Sequence, residues 1–522
     1  MLKFVRKLLL VTIVFVFLKI GFQMAFPVPT VQNRIDSTAL KPTIDTLLGA
    51  EILPLAQANP ELSGVAPLRQ GEDAFAARML LAEAAQDSID ARYYIWQKDA
   101  TGLMLLEALR RAADRGVRVR LLLDDNGTPD LDAELAELNL HDNVEIRLFN
   151  PFVLRSLRSL SYVLDFARIN RRMHNKSFTV DGVATVVGGR NIGDISFAHS
   201  DGVNYFDLDV VALGDAAQDV SQDFDLYWAS LSSVPANLIL PAAGDAQGSL
   251  LATAVDEVEI TVGARKFAAS VLESDLMKQL EDGAPGFEWA DLQMVSDHPA
   301  KGQGRVVPEK LMINRLAQLL GSPKQSVDLV SAYFVPGDRL TSMLSDWAKQ
   351  GLKVRVLTNA QEATDVLPVH GGYLQYRDQL LDAGVQVFEL KSTQEEDEDL
   401  DLRDQFGLIG SSQVSLHAKA FVIDRRDLFV GSFNFDPRSA NLNTEMGFLI
   451  KDSQLAEDIL PGYSGQLQQR AYRVQRGADG GTEWVETRAS GEERKYEVEP
   501  GSTSFTRFLV QLVGWLPVSW LL

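Results

Sequence analysis

Cysteine is absent from the 522-residue chain, and histidine occurs only six times. The lack of cysteine excludes disulfide bonds, thiolate metal ligands and a lipid-modified cysteine. Positive charge is also in deficit, because 50 Lys and Arg face 71 Asp and Glu and leave a formal net charge of -21. Phosphate backbones are captured mainly by Lys and Arg, so this balance argues against a nucleic-acid-binding protein held by its overall field. An anionic ligand would therefore need local positive charge.

The chain has the length of two or three domains, and its strand-like and helix-like segments recur in the same order in both halves. The first half shows apolar strand patterns at 89–95, 117–123 and 144–149 and a helix pattern at 102–115. The second half repeats them at 327–334, 352–357 and 385–390, with the helix at 340–348. Strands that alternate with helices indicate a mainly parallel sheet covered by helices. We therefore predict an α/β protein with tandem domains at 74–255 and 305–475, joined by an inter-domain segment at 256–304.

One short motif occurs once in each predicted domain. A His is followed by a Lys two residues later and by an Asp seven residues later, as His174, Lys176 and Asp181 and again as His417, Lys419 and Asp424. Two small residues follow at positions 14 and 15 after each His, and an Asn follows at position 17, which gives Asn191 and Asn434. The chain has only six histidines, so the presence of two of them at matching positions in a repeated motif argues against coincidence.

The duplicated motif resembles the His-x-Lys-(x)4-Asp signature of the phospholipase D superfamily. The flanking residues 188–194, 206–209 and 227–228 resemble its bacterial cardiolipin synthase C group, and the likeness runs from about Ala74 to the C-terminus. The resemblance implies two phospholipase D-type domains, each a mainly parallel or mixed sheet flanked by helices, related by a pseudo-twofold axis. It also implies a reaction through a covalent phosphohistidine that uses no metal and no other cofactor.

The repeated residues suit the cleavage of a phosphodiester, which requires a nucleophile, a proton donor and fixed positive charge. An imidazole can fill either of the first two roles, because its pKa lies near working pH. Lys176 and Lys419 supply point charges for the phosphoryl oxygens, and Asn191 and Asn434 supply neutral amide donors. The residues alone do not decide which His attacks. The resemblance implies that His174 is the nucleophile and that His417 is the general acid and later the base.

Four carboxylates accompany the motif. Glu445 and Asp207 each begin a strand-like run, and in the resembling family acids at these positions orient the histidines, so we predict this role for both. Asp181 and Asp424 belong to the motif, but they lie at the turn end of its strand. We expect them to be structural and to cap the turn through local hydrogen bonds.

Each of two charged stretches can be explained either by a binding role or by ordinary exposure to solvent. Five arginines between Arg155 and Arg172 precede the first motif, and they fit either an amphipathic basic element that binds anionic membranes or an ordinary surface helix. The acidic run from Glu395 to Asp399 lacks the spacing of a calcium loop, and we expect a solvated loop there.

Both ends of the chain are apolar. Residues 1–26 begin with three cationic residues and continue with an apolar run, which predicts either a membrane anchor or a cleaved signal segment. The same charge pattern predicts a catalytic body on the periplasmic side of a bacterial inner membrane. Residues 27–73 carry six prolines and are predicted to be a linker or lead-in. In the tail at 476–522 the segment from Phe505 is apolar and contains Trp515 and Trp520, which favours a membrane-interface segment over a helix docked on the core.

The resemblance, together with the apolar ends, implies a cardiolipin synthase that moves a phosphatidyl group from phosphatidylglycerol or phosphatidylethanolamine to phosphatidylglycerol. The enzyme alternative is a phospholipase D that hydrolyses phospholipids to phosphatidic acid. A nuclease is a weaker alternative, because the net charge of the chain is acidic. A non-catalytic membrane protein is also weaker, because both motifs are intact. The expected partners are phospholipids and the membrane, with no nucleic acid.

Overall fold

The structure is a computed structural model that describes residues 2–31, 34–200, 202–243, 250–281, 286–392, 413–459, 470–488, 490–515 and 521. The acidic run at 395–399 and the tail residues 516–520 lie outside the described residues.

Nine strands come from the first half of the chain. They are β1 Ser63–Leu68, β2 Ser88–Ile95, β3 Arg118–Gly127, β4 Val144–Phe149, β5 Ser177–Val180, β6 Ala184–Gly188, β7 Val203–Phe206, β8 Asp209–Leu213 and β9 Ser233–Pro235. Eight of them form a sheet in the order β1-β8-β6-β5-β2-β3-β4-β9, in which β2, β3 and β4 are parallel and the other neighbours antiparallel.

The second half repeats this order strand for strand. Its strands are β10 Glu288–Ser296, β11 Ser326–Ser331, β12 Lys353–Asn359, β13 Gln386–Leu390, β14 Gln413–Leu416, β15 Lys419–Ile423, β16 Asp427–Gly431, β17 Met446–Lys451, β18 Ala471–Arg476, β19 Thr482–Thr487 and β20 Glu493–Tyr496. They are arranged as β10-β17-β16-β15-β11-β12-β13-β18, extended by β19 and β20. Strand β10 also pairs with β1, so the halves form one continuous 18-stranded sheet. The predicted duplicated α/β architecture is confirmed.

Helices cover the sheet. They are α1 Leu2–Ala25, α2 Leu47–Ala58, α3 Gly71–Ala84, α4 Ala100–Asp114, α5 Asp132–Leu138, α6 Arg158–Leu164, α7 Phe166–Ile169, α8 Asp215–Trp228, α9 Leu250–Glu259, α10 Val262–Leu272, α11 Asp275–Glu281, α12 Met312–Leu320, α13 Gly337–Lys349, α14 Leu367–Asp382, α15 Pro437–Asn441, α16 Ser453–Ile459 and α17 Ser504–Trp515. The face of α4 formed by Leu105, Leu109 and Ala112 is fully buried. Its 3.6-residue spacing explains why this segment is a helix that packs on the sheet.

One cluster of buried apolar side chains joins the two halves of the chain. Val187 and Val210 of the first half pack in one core with Leu416, Ala420 and Val430 of the second. Burying apolar surface between the two halves stabilises their relative placement. This shared core lies beside the two motifs, so it also fixes the distance between them.

The stretches predicted to lie outside the domains contain strands that belong to the sheet. Strand β1 lies within residues 27–73, and β10 lies within residues 256–304. Both occupy equivalent positions, beside β8 and β17 respectively. The domain limits at 74, 255, 305 and 475 stay predictions.

The two apolar ends differ in their contacts. Helix α1 is exposed almost all round, and its segment Lys3–Ala25 is the one helix in the described part of the chain that is long and apolar enough to cross a membrane. That length and composition fit an anchor and a signal segment equally. Helix α17 packs against α14 and buries Val510, yet it leaves Phe505, Phe508 and Leu512 exposed.

Candidate active site

Each motif histidine is held by a carboxylate from the other half of the chain. His174 Nδ1 lies 2.8 Å from Glu445 Oε2, and His417 Nδ1 lies 2.5 Å from Asp207 Oδ2. An ionised carboxylate fixes the proton on the nitrogen that it faces, so Nε2 of each ring carries the lone pair. Both rings line one cavity of about 370 Å³. The structure therefore brings two oriented imidazoles to a single pocket.

Backbone pairing between the halves produces this exchange. Strand β7 runs parallel to β14, and Phe206 O accepts a hydrogen bond from the His417 N–H at 2.8 Å. In the equivalent contact, Thr444 O accepts from the His174 N–H at 2.9 Å. Asp207 and Glu445 directly follow Phe206 and Thr444, so each carboxylate is carried to the histidine of the opposite half. Neither half alone forms a complete site.

The two lysines are buried beside the histidines. Lys176 Nζ donates to His174 O at 2.7 Å, and Lys419 Nζ donates to His417 O. Within the described residues, no carboxylate oxygen lies within 4 Å of either ammonium group. Burial lowers the pKa of Lys176 to about 7, and the charge of Lys419 adds to this shift. Burial also lowers the pKa of Lys419. A bound phosphoryl anion would relieve both effects.

The two asparagines line the same cavity. Asn191 Oδ1 accepts a long 3.4 Å hydrogen bond from Ile95 N, whereas Asn434 Oδ1 is buried and has no partner within the described residues. Buried polar atoms are normally satisfied, so an unpaired amide at a cavity wall indicates a place for a ligand.

Burial sets the protonation of the rings. It lowers the pKa of His174 to about 4, although the adjacent Glu445 carboxylate opposes the shift. Burial and Lys419 likewise lower the pKa of His417. Burial acts to raise the pKa of Glu445 and Asp207, but the facing histidines and lysines hold both below their usual range. Neutral imidazoles with ionised orienting acids are the state that can attack phosphorus.

The remaining motif acids lie away from the cavity. Asp181 accepts hydrogen bonds from the backbone N–H groups of Gln86, Asp87 and Ser88 at 2.9 to 3.2 Å. Asp424 accepts from Lys324, Gln325 and Ser326 at 2.7 to 3.1 Å. Each therefore ties the hairpin after its motif to the loop that opens β2 or β11. These partners are distant in sequence, whereas local turn hydrogen bonds were expected.

Several cavity residues were not singled out from the sequence. Tyr94 packs edge-on against His174 at 4.9 Å between ring centroids, and Tyr205 stacks on His417 at 4.5 Å. Ser432 Oγ donates to Glu445 Oε2 at 2.6 Å. Ser432 belongs to the small pair after the second motif, which offered a signal, whereas isolated tyrosines offered none.

Four of the five arginines in the basic stretch before His174 lie in ion pairs, and Arg171 donates to backbone carbonyl groups. Arg155 pairs with Asp125 and Asp132, and the buried Arg172 pairs with Asp124. These ion pairs leave little free positive charge for anionic lipid, so the basic membrane element considered from the sequence has no support here.

Comparison with known proteins shows which family the chain resembles. Residues 80–228 and 316–461 match the domain family described as "Cardiolipin synthase, PLD-like domain", where PLD denotes phospholipase D. The chain is 43% identical to "Cardiolipin synthase C" of Escherichia coli (strain K12) over 481 residues, which cover 91% of this chain and 99% of that protein. It is 26% identical to "Cardiolipin synthase" of Geobacillus thermodenitrificans (strain NG80-2), over 79% of this chain and 70% of that protein.

A solved structure shares the fold. The phosphatidylserine synthase of Haemophilus influenzae Rd KW20 superimposes with a TM-score of 0.53 at 14% identity, over 80% of this chain and 91% of that one. The bacterial relatives and the exposed apolar helix α1 together indicate a membrane-associated bacterial protein. The chain belongs to the cardiolipin synthase family of phospholipase D-like phosphatidyltransferases.

Proposed function

We propose that this enzyme makes cardiolipin by a two-step phosphatidyl transfer at His174 and His417. The observation that carries the proposal is the cavity lined by two imidazoles, each held through Nδ1 by an acid of the opposite half. The buried Lys176 and Lys419 have no carboxylate oxygen within 4 Å of their ammonium groups in the described part of the chain, which supports binding of a lipid phosphoryl group between the rings.

In the first step His174 Nε2 attacks the phosphorus of the donor phospholipid. The P–N bond forms, the bond from phosphorus to the head-group oxygen breaks, and protonated His417 gives its proton to the leaving alkoxide. Substrate raises the proton affinity of His417, because a phosphoryl anion offsets the neighbouring lysines. Glu445 stabilises the charge that develops on the His174 ring.

In the second step a hydroxyl of phosphatidylglycerol attacks the phosphohistidine. His417 takes the hydroxyl proton, the new P–O bond forms, and the P–N bond breaks to restore His174. The products are cardiolipin and a free head-group alcohol. The donor is phosphatidylglycerol or phosphatidylethanolamine.

Apolar side chains at the cavity support a lipid acceptor over water. Ile95, Ile192 and Ile195 line it from the first half, and Val366 and Val369 line it from the second. Such walls limit water near the intermediate and suit the glycerol backbone of a lipid. The exposed apolar faces of α1 and α17 supply two membrane contacts near the ends of the chain.

A product assay tests the proposal. Purified full-length enzyme is added to vesicles of labelled phosphatidylglycerol, with and without phosphatidylethanolamine, and the lipids are analysed by mass spectrometry. We expect cardiolipin as the main product, whereas dominant phosphatidic acid would establish the hydrolase alternative. His174→Ala and His417→Ala variants should each remove lipid turnover, and unchanged turnover would favour a non-catalytic protein.

We also propose that α1 holds the catalytic body on the periplasmic side of the inner membrane. The support is the cationic start of the chain before an exposed apolar helix. Protease added to spheroplasts should digest the body, and full protection there would contradict this orientation.

A further inference from the structure

Three polar side chains form a group on the His417 side of the cavity. Tyr205 and Tyr333, one from each half, both donate to Asp365 Oδ2, at 2.9 and 2.8 Å respectively. Tyr205 also stacks on the His417 ring with an interplanar angle of 11°. Asp365, Tyr205 and Tyr333 all line the cavity with the two histidines. We call these three residues the Asp365 group.

The carboxylate of Asp365 has one oxygen to spare. Both tyrosine hydroxyls go to Oδ2, so within the described residues Oδ1 receives no hydrogen bond from a side chain or backbone. No Lys, Arg or His nitrogen in that part of the chain lies within 4 Å of the carboxylate. The charge of Asp365 is still felt at Lys419, where it acts to raise a pKa that burial lowers. The group is therefore a fixed acceptor that faces the cavity and is not consumed by an internal ion pair.

The in-line geometry of the reaction places the leaving and entering alcohols near the Asp365 group. The attacking and leaving atoms stand on opposite sides of the phosphorus, so attack from His174 sends the head-group alcohol toward His417. The acceptor hydroxyl must later enter from the same side, because His417 also takes its proton. Every alcohol that leaves or enters therefore passes beside Tyr205 and Asp365.

The His174 side of the cavity lacks an equivalent set of two tyrosines bound to a carboxylate. Val180 and Ile423, each six residues after a motif His, pair with Ile89 and Val327, so Ile95 occupies the position equivalent to Tyr333. Counting from Asp207 and Glu445, Asn443 occupies the position equivalent to Tyr205. The other carboxylate that lines the cavity, Asp436, has no tyrosine partner and accepts a hydrogen bond from Ser439 N at 2.6 Å. The duplication thus retains the catalytic frame but places the Asp365 group on one side only.

We propose that Asp365, positioned by Tyr205 and Tyr333, is the specificity residue that binds the head-group alcohol through its hydroxyl or ammonium donors. This inference rests on the proposed function. A carboxylate with a free oxygen accepts from the second hydroxyl of a glycerol group or from the ammonium of ethanolamine, and either contact holds the reacting oxygen near His417. Both O–H groups of water lie on the one reacting oxygen, so water has no second donor group away from the reacting centre. The Asp365 group therefore favours transfer over hydrolysis.

The test measures how the phosphatidyl intermediate divides between alcohol and water. Full-length enzyme acts on acyl-labelled donor lipid in vesicles, with glycerol or ethanolamine as the soluble acceptor, and the ratio of transfer product to phosphatidic acid is recorded. We expect Asp365→Asn to lower this ratio about tenfold and Tyr333→Phe about threefold, as loss of charge-assisted and neutral hydrogen bonds would do. A larger loss with ethanolamine identifies the ammonium as the recognised donor, and equal losses identify hydroxyls.

Asp346→Asn, an exposed position on helix α13, serves as the matched control and should leave the ratio unchanged. A thermal unfolding midpoint equal to that of the wild type would show that the Asp365→Asn variant is folded. An unchanged ratio in folded Asp365→Asn overturns the inference. If the wild type transfers to glycerol but forms no cardiolipin, the proposed lipid acceptor fails while the role of Asp365 is still measured. If the wild type forms only phosphatidic acid with every acceptor, both proposals fail.

Discussion

The two halves of the site share one frame and differ in the groups placed around it. Both halves supply a His, a Lys and an Asn at the same offsets, and both orient the histidine of the other half. The His174 side has a Glu as its orienting acid, supported by a serine hydroxyl. The His417 side has a shorter Asp and the Asp365 group. Duplication thus explains why two catalytic sets converge, and the departures from symmetry explain how they take different roles.

The small pair after each motif illustrates such a departure. Ser432 donates to Glu445, whereas a side chain at the equivalent Gly189 would put its Cβ 2.1 Å from Asp207 Oδ1. The space that Gly189 leaves open is therefore filled by the Asp207 carboxylate. The longer Glu445 leaves room for a hydroxyl that adds a hydrogen bond.

Loss of either catalytic ring should have the largest effect. We expect His174→Ala and His417→Ala each to lower kcat by about 10³-fold or more, because each removes a group that the reaction requires. A donor with a nitrophenol leaving group should distinguish the halves in a single-turnover assay. It needs no proton, so His417→Ala should regain the first step and His174→Ala should not. Rescue of His174→Ala instead would reverse the assigned roles.

Removal of an orienting acid should come next. Glu445→Gln and Asp207→Asn keep the size of each side chain but leave its histidine without an anion at Nδ1. We expect each to reduce kcat by about 10²-fold, since the wrong tautomer then faces the phosphorus. Steady-state kinetics measure this, and equal rates for wild type and both variants would show that the crossed contacts have no catalytic role.

An exchange of the small residues should affect the halves unequally. Gly189→Ser pushes Asp207 away from His417, and we expect a loss of activity of about 10-fold or more. Ser432→Gly removes one hydrogen bond to Glu445, which remains bound to His174, and we expect about a threefold loss. Activity per folded enzyme, with folding checked by circular dichroism, provides the measurement. Similar losses in the two variants would contradict the asymmetry.

The pH profile should reflect one group from the first motif on each limb. His174, with its pKa lowered to about 4, must be neutral to attack, so kcat/KM should fall as pH drops toward that value. With the nitrophenol donor, which needs no proton from His417, Lys176 with its pKa lowered to about 7 must still be charged to bind phosphate, so kcat/KM for this donor should fall as pH rises through that value. Lys176→Arg should move the alkaline limb upward, because guanidinium stays protonated. An alkaline limb that does not move in this variant would assign it to another group.

The same ring makes folding depend on pH. An unfolded His titrates near its usual pKa of about 6.5, so between about 6.5 and about 4 the unfolded chain binds the extra proton and the folded protein does not. The free energy of unfolding should therefore decrease as pH falls through this window. His174→Gln should flatten the dependence in denaturant titrations, and an unaltered slope would contradict the burial effect.

The turn acids should give the smallest effect on catalysis. Asp181 is buried and Asp424 is partly exposed, and each accepts from three consecutive backbone N–H groups. We expect Asp181→Asn to lower the free energy of unfolding by about 1–3 kcal/mol and Asp424→Asn by less, with kcat retained in both. Chemical denaturation measures the difference, and loss of kcat in stable protein would give these acids a catalytic role.

The sequence predicted much of this architecture because the relevant signals are local. Apolar periodicity placed α4, whose buried face includes Leu105 and Leu109, and the strand at Val144–Phe149 was predicted with its observed limits. The duplicated motif identified the residues that converge at the cavity. The exchange of Glu445 and Asp207 between halves was beyond local patterns, because it depends on the pairing of β7 with β14 and on the hydrogen bond from His174 N to Thr444 O. Asp365 and its tyrosines lie on three separate segments, and no spacing in the sequence connects them.

The residue that carries the covalent intermediate distinguishes the roles assigned to His174 and His417. His417→Ala enzyme is mixed with the nitrophenol donor lipid and quenched in alkaline denaturant, which preserves a P–N bond, and the peptides are then sequenced by mass spectrometry. We expect a phosphatidyl adduct on His174 that is absent from the His174→Ala, His417→Ala double variant. An adduct on any other residue of the single variant, or turnover of that lipid without an adduct on His174, would contradict it.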